Sequence, residues 1–314
     1  MKNIAAIALV ILYVGCTKTQ IKTSLNQSQL QLTKSISNVP NNSYSGVYID
    51  DFSNWFKTTD SIIDFVSWYK QNGLNAGSEY ELQSILSKSK NYNAIATFNH
   101  ILRKNGATYV TAIGGDSNDI IKYYIPFNKT QSDTTKRFNY FNLENEFWNS
   151  GNDTWAQWLA NLKSLTRLGR TQSPVVKTEA YIGWPTGAAE YSGMVQYADR
   201  LLVHDYYTTP SWGYIRTRLD SLGLAAIAQK KIEPIIIIFD VDISNTYFES
   251  NNFTDAYQII VNSYDTTNMP GKNGIQLIGY QIFASAEAMN MPQNLTNKLT
   301  SSGDTKDVAD NNLK

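Results

Sequence analysis

Strand-like and helix-like segments alternate eight times along this chain, and that alternation restricts its fold more than any other feature. The strand-like segments are expected at residues 46–52, 74–80, 107–115, 137–146, 174–184, 199–207, 232–242 and 275–284. After the first strand, Ile62, Phe65, Val66 and Tyr69 recur at helical spacing, and Gly73 follows as a stop signal. Repeated strand–helix units predict a (β/α)8 TIM barrel of the α/β class over residues 44–297, a single domain without an insertion domain.

An open, doubly wound parallel sheet would produce a similar alternation. Such sheets commonly bind dinucleotides at a G-x-G-x-x-G turn after the first strand. The corresponding stretch here, S-N-W-F-K-T-T-D, has neither this motif nor another phosphate-binding loop. The barrel is therefore the preferred architecture, and no cofactor is predicted.

The first residues have the features of an export signal. Met1-Lys2-Asn3 is a short basic start, and the apolar run that follows is too short to span a bilayer. The run ends in L-Y-V-G-C, so residues 1–16 resemble a bacterial lipoprotein signal peptide with Cys16 as the lipidated residue. This resemblance implies a membrane-anchored lipoprotein that faces the cell surface or the periplasm. An ordinary secretory signal with an incidental cysteine is the alternative.

The segments on either side of the expected barrel are polar. Residues 17–43 predict a flexible tether, and residues 298–314 predict a disordered tail. Cys16 is the only cysteine, so no disulfide can form within the chain.

The charges argue against nucleic acid as a partner. The 27 Lys and Arg residues balance the 27 Asp and Glu residues, so no net field favours a polyanion. The two histidines are scattered and no metal-ligand spacing occurs, so no metal is predicted. His204, inside the sixth expected strand, is interpreted as a packed or hydrogen-bonded residue.

The fourth expected strand contains F-N-Y-F-N-L-E-N-E-F-W and ends in two carboxylates. Because strand side chains alternate between faces, Asn142, Glu144 and Glu146 should point the same way, with neighbouring Cβ atoms roughly 6–7 Å apart. Phe141 and Leu143 would then face the helices. In a barrel, Asn142, Glu144 and Glu146 would line the mouth.

Polar and aromatic side chains follow almost every expected strand, at the end where barrel enzymes place their sites. The candidate ligand-binding residues are Asp50, Gly114, Gly115, Trp148, Glu179, Tyr181, Trp184, Tyr207, Asp240, Gln281 and Phe283. Aromatic rings suit the apolar C–H faces of sugars, while carboxylates and amides bind hydroxyl groups. The pattern therefore favours a carbohydrate, and a polar mouth without a ligand is the alternative.

Two of these strands together resemble glycoside hydrolase family 18, the chitinases and endo-β-N-acetylglucosaminidases. The third strand of that family ends in S-x-G-G, which fits Ala112-Ile113-Gly114-Gly115 except for the alanine. Its fourth strand carries D-x-x-D-x-D-x-E. In this chain the corresponding places are taken by Asn139, Asn142, Glu144 and Glu146.

The resemblance extends to two more strands and implies catalytic roles. Tyr206 falls where the family has a tyrosine that binds the acetamide carbonyl, and Phe283 replaces its usual tryptophan. Glu146 falls on the acid that protonates the glycosidic oxygen. Glu144 falls on the residue that orients the substrate's own N-acetyl group, and Asn142 replaces the aspartate that shares its proton. Such substrate assistance needs no enzyme nucleophile and no metal.

The departures from the family pattern point to weakened chemistry. Asn142 cannot exchange protons, and Glu144 is one methylene longer than Asp, while a shift of about 1 Å can cost on the order of a hundredfold in rate. We therefore expect a surface protein that binds N-acetylglucosamine-containing glycans, with hydrolysis weakened or lost and glycan-uptake proteins as possible partners. An active endoglycosidase or chitinase is the alternative, and a purely structural lipoprotein is the third.

A different catalytic scheme also fits in part. Other retaining glycosidase barrels carry Asn-Glu at the end of strand four and Glu at the end of strand seven. Asn145-Glu146 matches the first element. Strand seven offers Asp240 and Asp242 but no glutamate at its end, so this scheme is the weaker of the two.

Overall fold

The computed structural model describes residues 44–50, 58–80, 82–149 and 151–290. Their eight strands form a closed barrel in chain order, and each strand runs parallel to both of its neighbours. The strands are β1 Tyr44–Ile49, β2 Ala76–Glu79, β3 Tyr109–Gly114, β4 Tyr140–Leu143, β5 Lys177–Ile182, β6 Arg200–Asp205, β7 Glu233–Asp240 and β8 Ile275–Phe283. The predicted (β/α)8 barrel is confirmed. Cys16, the expected tether and the expected tail lie outside the described residues.

Helices connect the strands and surround them. They are α1 Thr59–Gln71, α2 Leu82–Leu86, α3 Tyr92–Lys104, α4 Ser117–Asp119, α5 Ile125–Thr130, α6 Trp155–Arg170, α7 Ala188–Tyr197, α8 Trp212–Ala228, α9 Asn245–Phe248, α10 Phe253–Thr266 and α11 Ser285–Asn290. A π-helical turn, Ile120–Tyr124, joins α4 to α5. None of the helices in these described ranges has the length and apolar content needed to cross a membrane.

The helix starts follow local sequence signals. Thr154 precedes α6 and forms a capping box with Gln157, in which each side chain satisfies a backbone N–H of the other residue. Thr58 caps α1 by accepting a hydrogen bond of 3.1 Å from the Ser61 N–H. These caps place the helix starts directly after the loops at the carboxyl ends of the strands.

The strand alternation divides the apolar core into two clusters. The outer cluster lies between barrel and helices and includes Phe141 and Leu143. The inner cluster fills the lumen, and its buried members are Tyr44, Ala76, Tyr181, Leu202, Ile236 and Ile238. This is the two-sided burial expected for parallel strands in a barrel.

Strand β8 contains the barrel's one marked irregularity in the described residues. Its register against β7 shifts between Ile235 and Ile236, and Gly279 has a φ of +150° at this point. A Cβ atom on Gly279 would lie 1.7 Å from the Tyr44 carbonyl oxygen, so only glycine fits between β8 and β1. The bulge keeps Gln281 and Phe283 in line with the lumen-facing residues of β7.

Strand β4 is shorter than the sequence predicted. It was expected to run to residue 146, but it ends at Leu143, and the Glu144 N–H makes one further ladder-like bond of 3.0 Å to the Gly114 carbonyl. The chain then turns, with the Asn149 N–H bonded to the Glu146 carbonyl at 2.9 Å. Phe147 packs against Trp155 and Trp158 of α6, which draws the chain away from the barrel axis.

Candidate active site at the barrel mouth

The mouth at the carboxyl ends of the strands is centred on Glu144. Its carboxylate accepts a hydrogen bond from the Tyr48 hydroxyl, which reaches across from β1. Burial raises the pKa of Glu144 to about 7, the Tyr48 hydrogen bond opposes that rise, and the nearby Glu146 adds to it. Near neutral pH, Glu144 can therefore both hold and release a proton, as a general acid or base must.

Glu146 lies beside Glu144 in the turn that follows β4. Its carboxylate accepts a hydrogen bond from the Asn149 side chain, and its carbonyl oxygen accepts one from Asn152 at 3.1 Å. The side chain is half-buried. Two carboxyl groups, those of Glu144 and Glu146, therefore share the mouth.

Asn142 points into the lumen, as the alternation predicted, but below the mouth. Its amide donates a hydrogen bond of 3.0 Å to Glu179, and the side chain is almost fully buried. Asn142 is therefore hydrogen-bonded to Glu179, whereas the carboxyl of Glu144 is hydrogen-bonded to Tyr48. Asn139, the first residue of the motif, accepts a hydrogen bond of 2.8 Å from the Val110 N–H just before β4 begins, at the end of the barrel away from the mouth.

Aromatic rings line one side of the mouth. His204 stacks on Tyr206 with ring centroids 4.3 Å apart and an interplanar angle of 14°, and Tyr181 meets His204 edge-on at 4.0 Å. Phe283 joins this wall to Tyr48, at 5.9 Å from Tyr206 and 4.7 Å from Tyr48. His204 is nearly inaccessible, and burial and the nearby Arg218 cation lower its pKa well below the usual value, so it is a neutral packing residue.

Trp148 covers the end of β5. A Cβ atom on Gly183 would lie 2.7 Å from the Trp148 indole, so the glycine is what lets the ring lie against the strand end. The indole also meets His204 edge-on at 6.0 Å. Trp148 is half-buried and thus contributes a partly exposed apolar surface to the mouth.

Two predicted ligand-binding residues lie deeper than expected. Glu179 has no exposed surface and pairs with Arg200, whose guanidinium nitrogens lie 2.5 and 2.6 Å from one carboxylate oxygen. Gln281 is also fully buried and accepts hydrogen bonds from Tyr44 at 2.6 Å and Ser78 at 3.2 Å. Both side chains organise the lumen beneath the mouth.

The Arg200 guanidinium lies in the lumen below Glu179, on the side away from the mouth. It lies 4.6 Å from the ring centroid of Tyr44, 4.7 Å from that of Tyr109 and 3.6 Å from that of Tyr140. Such stacking suits the planar, weakly hydrated guanidinium. Arg200 is the first residue of β6 and carries no sequence motif, so sequence reasoning missed it.

Three further predicted residues, Asp50, Gly115 and Asp240, are hydrogen-bonded to segments near the carboxyl ends of the strands. One Asp50 carboxylate oxygen accepts hydrogen bonds of 2.9 Å from the N–H and the hydroxyl of Ser285. Asp240 is buried, which raises its pKa, and it accepts a bond of 3.1 Å from the Ile243 N–H. Gly115 donates a bond of 3.2 Å to Asp119.

Several strand-end residues face the helices. A Cβ atom on Gly114 would meet Asp119, Ile120 and Tyr124 of the outer layer, and Ala112 belongs to the outer core cluster. The alanine in the S-x-G-G-like motif therefore removes no hydroxyl from the lumen. Trp184 and Tyr207, by contrast, lie at the rim and are largely exposed.

Glu79, which ends β2, also faces outward. It has no exposed surface, and neither carboxylate oxygen has a hydrogen-bond partner in the described part of the chain. Burial raises its pKa well above the usual value, and the Arg103 cation offsets this only in part. Glu79 is therefore a neutral, buried acid outside the mouth.

The most important residue that sequence reasoning missed is Tyr48. It occupies an inward position of β1, two residues after Gly46 and two before Asp50. The alternation alone could have placed it in the lumen, but its pairing with Glu144 spans 96 residues of sequence. Within residues 44–50, 58–80, 82–149 and 151–290, no group of three or more His, Cys, Asp or Glu side chains is placed to hold a metal ion.

Comparison with known proteins identifies the fold but no family. No family model matches the sequence. No curated protein matches it either.

Two solved structures resemble the chain across most of its length. One is a variant of GH5_18 from Streptomyces cattleya in complex with Manb1-4GlcNAc, with a TM-score of 0.55, 12% identity, and coverage of 77% of this chain and 70% of that one. The other is the catalytic domain of beta-amylase from Paenibacillus polymyxa, with a TM-score of 0.54, 8% identity, and coverage of 80% and 94%. At such low identity the likeness shows the (β/α)8 fold alone.

Proposed function

We propose that the barrel mouth binds neutral, N-acetylglucosamine-containing glycans, and that the protein acts mainly as a glycan-binding protein. The observation that carries the proposal is the placement of the Glu144 carboxyl inside a wall of aromatic rings formed by Tyr48, Tyr206 and Phe283. Rings of this kind stack on the C–H faces of a sugar, and a single polar group among them fixes its orientation.

The comparisons and the motif support this choice of ligand. The GH5_18 structure of similar fold was solved with a mannosyl–N-acetylglucosamine disaccharide. The strand-four sequence resembles that of glycoside hydrolase family 18, whose substrates contain N-acetylglucosamine. Together with the near-zero net charge, these features favour a neutral glycan over an anionic one.

The geometry around Asn142 supports binding over efficient hydrolysis. In the related motif an aspartate at this place shares a proton with the next acid. Here the Asn142 amide is bound to Glu179 at 3.0 Å, and an amide cannot exchange a proton in any case. The partner of Glu144 is the Tyr48 hydroxyl, whose pKa is raised well above its ordinary value by burial and by Glu144, so it cannot replace the proton-sharing aspartate.

A second candidate is an active endo-β-N-acetylglucosaminidase or chitinase that uses substrate-assisted retaining hydrolysis. The pKa of about 7 for Glu144, beside Glu146, favours it, because the mouth then holds a carboxyl that can exchange a proton near neutral pH. In this candidate function Glu146 protonates the glycosidic oxygen, and Glu144 orients the substrate's own N-acetyl group.

One experiment separates the two candidates. The purified chain is incubated with chitooligosaccharides and with N-glycoproteins, and both binding and product release are measured. Binding without product supports the glycan-binding protein. Product that disappears in Glu146→Gln or Glu144→Gln supports the hydrolase. Asp64→Asn, an exposed carboxylate on α1, is the matched control. If the chain shows neither binding nor product release, both candidates are rejected.

The cellular location belongs to the same proposal. Lipidation of Cys16 would anchor the chain to a membrane, and residues 17–43 would hold the barrel away from the surface, close to glycan-uptake proteins. Detergent partitioning and mass spectrometry of the N-terminal peptide test this. Cys16→Ala should move the protein to the aqueous phase, and an unlipidated wild-type chain would contradict the anchor.

A further inference from the structure

Two aromatic side chains are exposed just outside the mouth. Trp184 follows β5 and Tyr207 follows β6, and their exposed fractions are 48% and 49%. Every other aromatic side chain in residues 44–50, 58–80, 82–149 and 151–290 is buried or half-buried. Solvent-exposed rings at adjacent strand ends are the kind of apolar surface that marks a binding region.

The exposed Trp184 ring is held in place from below. The Arg218 guanidinium lies over the ring, 4.6 Å from its centroid, and Tyr214 meets it edge-on at 5.0 Å and 82°. Because the cation occupies one face of the indole, the exposed fraction belongs to the other face. The ring therefore presents a flat apolar surface outward.

Arg218 is itself fixed, which makes this support rigid. The side chain is buried, and its guanidinium donates hydrogen bonds of 2.8 Å to the carbonyl oxygens of Gly183 and His204 and one of 3.1 Å to that of Tyr214. A surface that is already ordered loses little conformational entropy when a ligand binds.

Tyr214 extends the surface from Trp184 to Tyr207, with ring centroids of Tyr207 and Tyr214 5.5 Å apart. The Tyr207 backbone is anchored as well, since its carbonyl oxygen accepts a hydrogen bond from the Ser244 hydroxyl. We call Trp184, Tyr207 and Tyr214 the aromatic platform.

The platform adjoins the mouth through chain neighbours. Gly183, next to Trp184, carries the Trp148 indole, and Tyr206, next to Tyr207, belongs to the aromatic wall. At each of these two strand ends, one residue therefore lies at the mouth and the next residue lies at the rim. A ligand that leaves the mouth on the β5–β6 side meets the platform next.

We propose that the aromatic platform binds a further sugar ring of a longer glycan, a flat and uncharged pyranose that stacks on Trp184. The proposal rests on the glycan-binding function of the mouth and gives the bound chain a direction, from Glu144 outward over the ends of β5 and β6. It follows that affinity rises with glycan length, and that Trp184 sets the size of that increase.

The test is isothermal titration calorimetry with chitobiose and chitotetraose. The wild-type chain should bind the tetrasaccharide about tenfold more tightly than the disaccharide. This is about the loss of affinity expected when a tryptophan that packs on a ligand is truncated. Trp184→Ala should abolish this difference by weakening the binding of chitotetraose about tenfold. Trp184→Phe should retain part of the difference. Tyr197→Ala is the matched control, because Lys163 lies over its ring at 5.0 Å on the outer helix layer.

The outcomes distinguish the platform from the mouth. If Trp184→Ala keeps the full length dependence, the platform proposal is wrong, and the exposed rings belong to another partner. If Trp184→Ala weakens chitotetraose binding while the double variant Glu144→Gln/Tyr206→Ala leaves it unchanged, the platform stands and the mouth proposal fails. If the wild-type chain binds neither oligosaccharide, both proposals are rejected.

Discussion

The Tyr48 hydroxyl donates a hydrogen bond to the Glu144 carboxylate, which joins β1 to the end of β4 across the barrel mouth. The Tyr48 ring is itself held by Phe283 at 4.7 Å and Tyr80 at 5.4 Å. The position of the donor is thus fixed by packing, so the carboxyl is presented to the mouth in one orientation.

Removal of this hydrogen bond should raise the pKa of Glu144 above its value of about 7. The bond stabilises the charged form, so Tyr48→Phe leaves only burial and the Glu146 charge, both of which favour the protonated acid. Nuclear magnetic resonance titration of carbon-labelled glutamate measures the pKa, with Glu144→Gln to identify the resonance. Tyr197→Phe, on the outer layer, should leave the titration unchanged. An unaltered midpoint in Tyr48→Phe would show that the hydrogen bond is absent in solution.

In Glu79→Gln, the free energy of unfolding should fall less steeply as pH rises. A carboxyl whose pKa is raised by folding keeps a proton that the unfolded chain releases, so stability falls as pH rises above the ordinary value of 4.5. The slope from one such group is at most about 1.4 kcal/mol per pH unit.

Urea unfolding at pH 5 and pH 8 measures this effect. The free energy of unfolding should fall less in Glu79→Gln than in the wild-type chain. Glu249→Gln, an exposed carboxylate, should behave as wild type. Equal pH dependence in Glu79→Gln and wild type would mean that Glu79 finds a polar partner in solution.

The buried pair of Glu179 and Arg200 should be costly to break. Arg200→Met leaves the Glu179 carboxylate in the lumen without its cation, and loss of one partner of a buried pair costs about 3–5 kcal/mol. The double variant Glu179→Gln/Arg200→Met removes both charges and should be more stable than Arg200→Met alone. Urea denaturation tests both expectations, and a double variant less stable than the single one would contradict them.

Gly183→Ala should displace the Trp148 indole, because the added methyl would lie 2.7 Å from the ring. Overpacking of this kind costs about 1–3 kcal/mol. The near-ultraviolet circular dichroism of the tryptophans should change, and affinity for chitobiose should fall. Gly213→Ala is the matched control, since a Cβ atom there meets nothing within 4 Å, and in a helix it should be neutral or slightly stabilising. Equal behaviour of the two variants would contradict the role of Gly183.

The sequence was sufficient for the barrel and for the direction of the side chains along β4. Both follow from local periodicity, which is why Asn142 and Glu144 point inward as predicted. The depth of a side chain was not predictable in the same way. Glu179 and Gln281 lie below the mouth because the stagger between neighbouring strands sets their level, and stagger has no local signal.

Pairings between residues far apart in the sequence could not be predicted either. Tyr48 and Glu144 are 96 residues apart, and nothing near either residue marks the other as its partner. The end of β4 was missed for a similar reason, because the packing of Phe147 on α6 ends the strand. The roles of the individual mouth residues in ligand binding remain predictions.

The guanidinium of Arg200 packs against three tyrosine rings in the lumen at the start of the strands, at the end of the barrel opposite the mouth. Side chains fill the interior of a (β/α)8 barrel, so under the proposed function a glycan would enter and leave over the rim of the mouth. A carrier protein at the far end of that glycan would then remain outside the barrel while the free end of the sugar chain is bound.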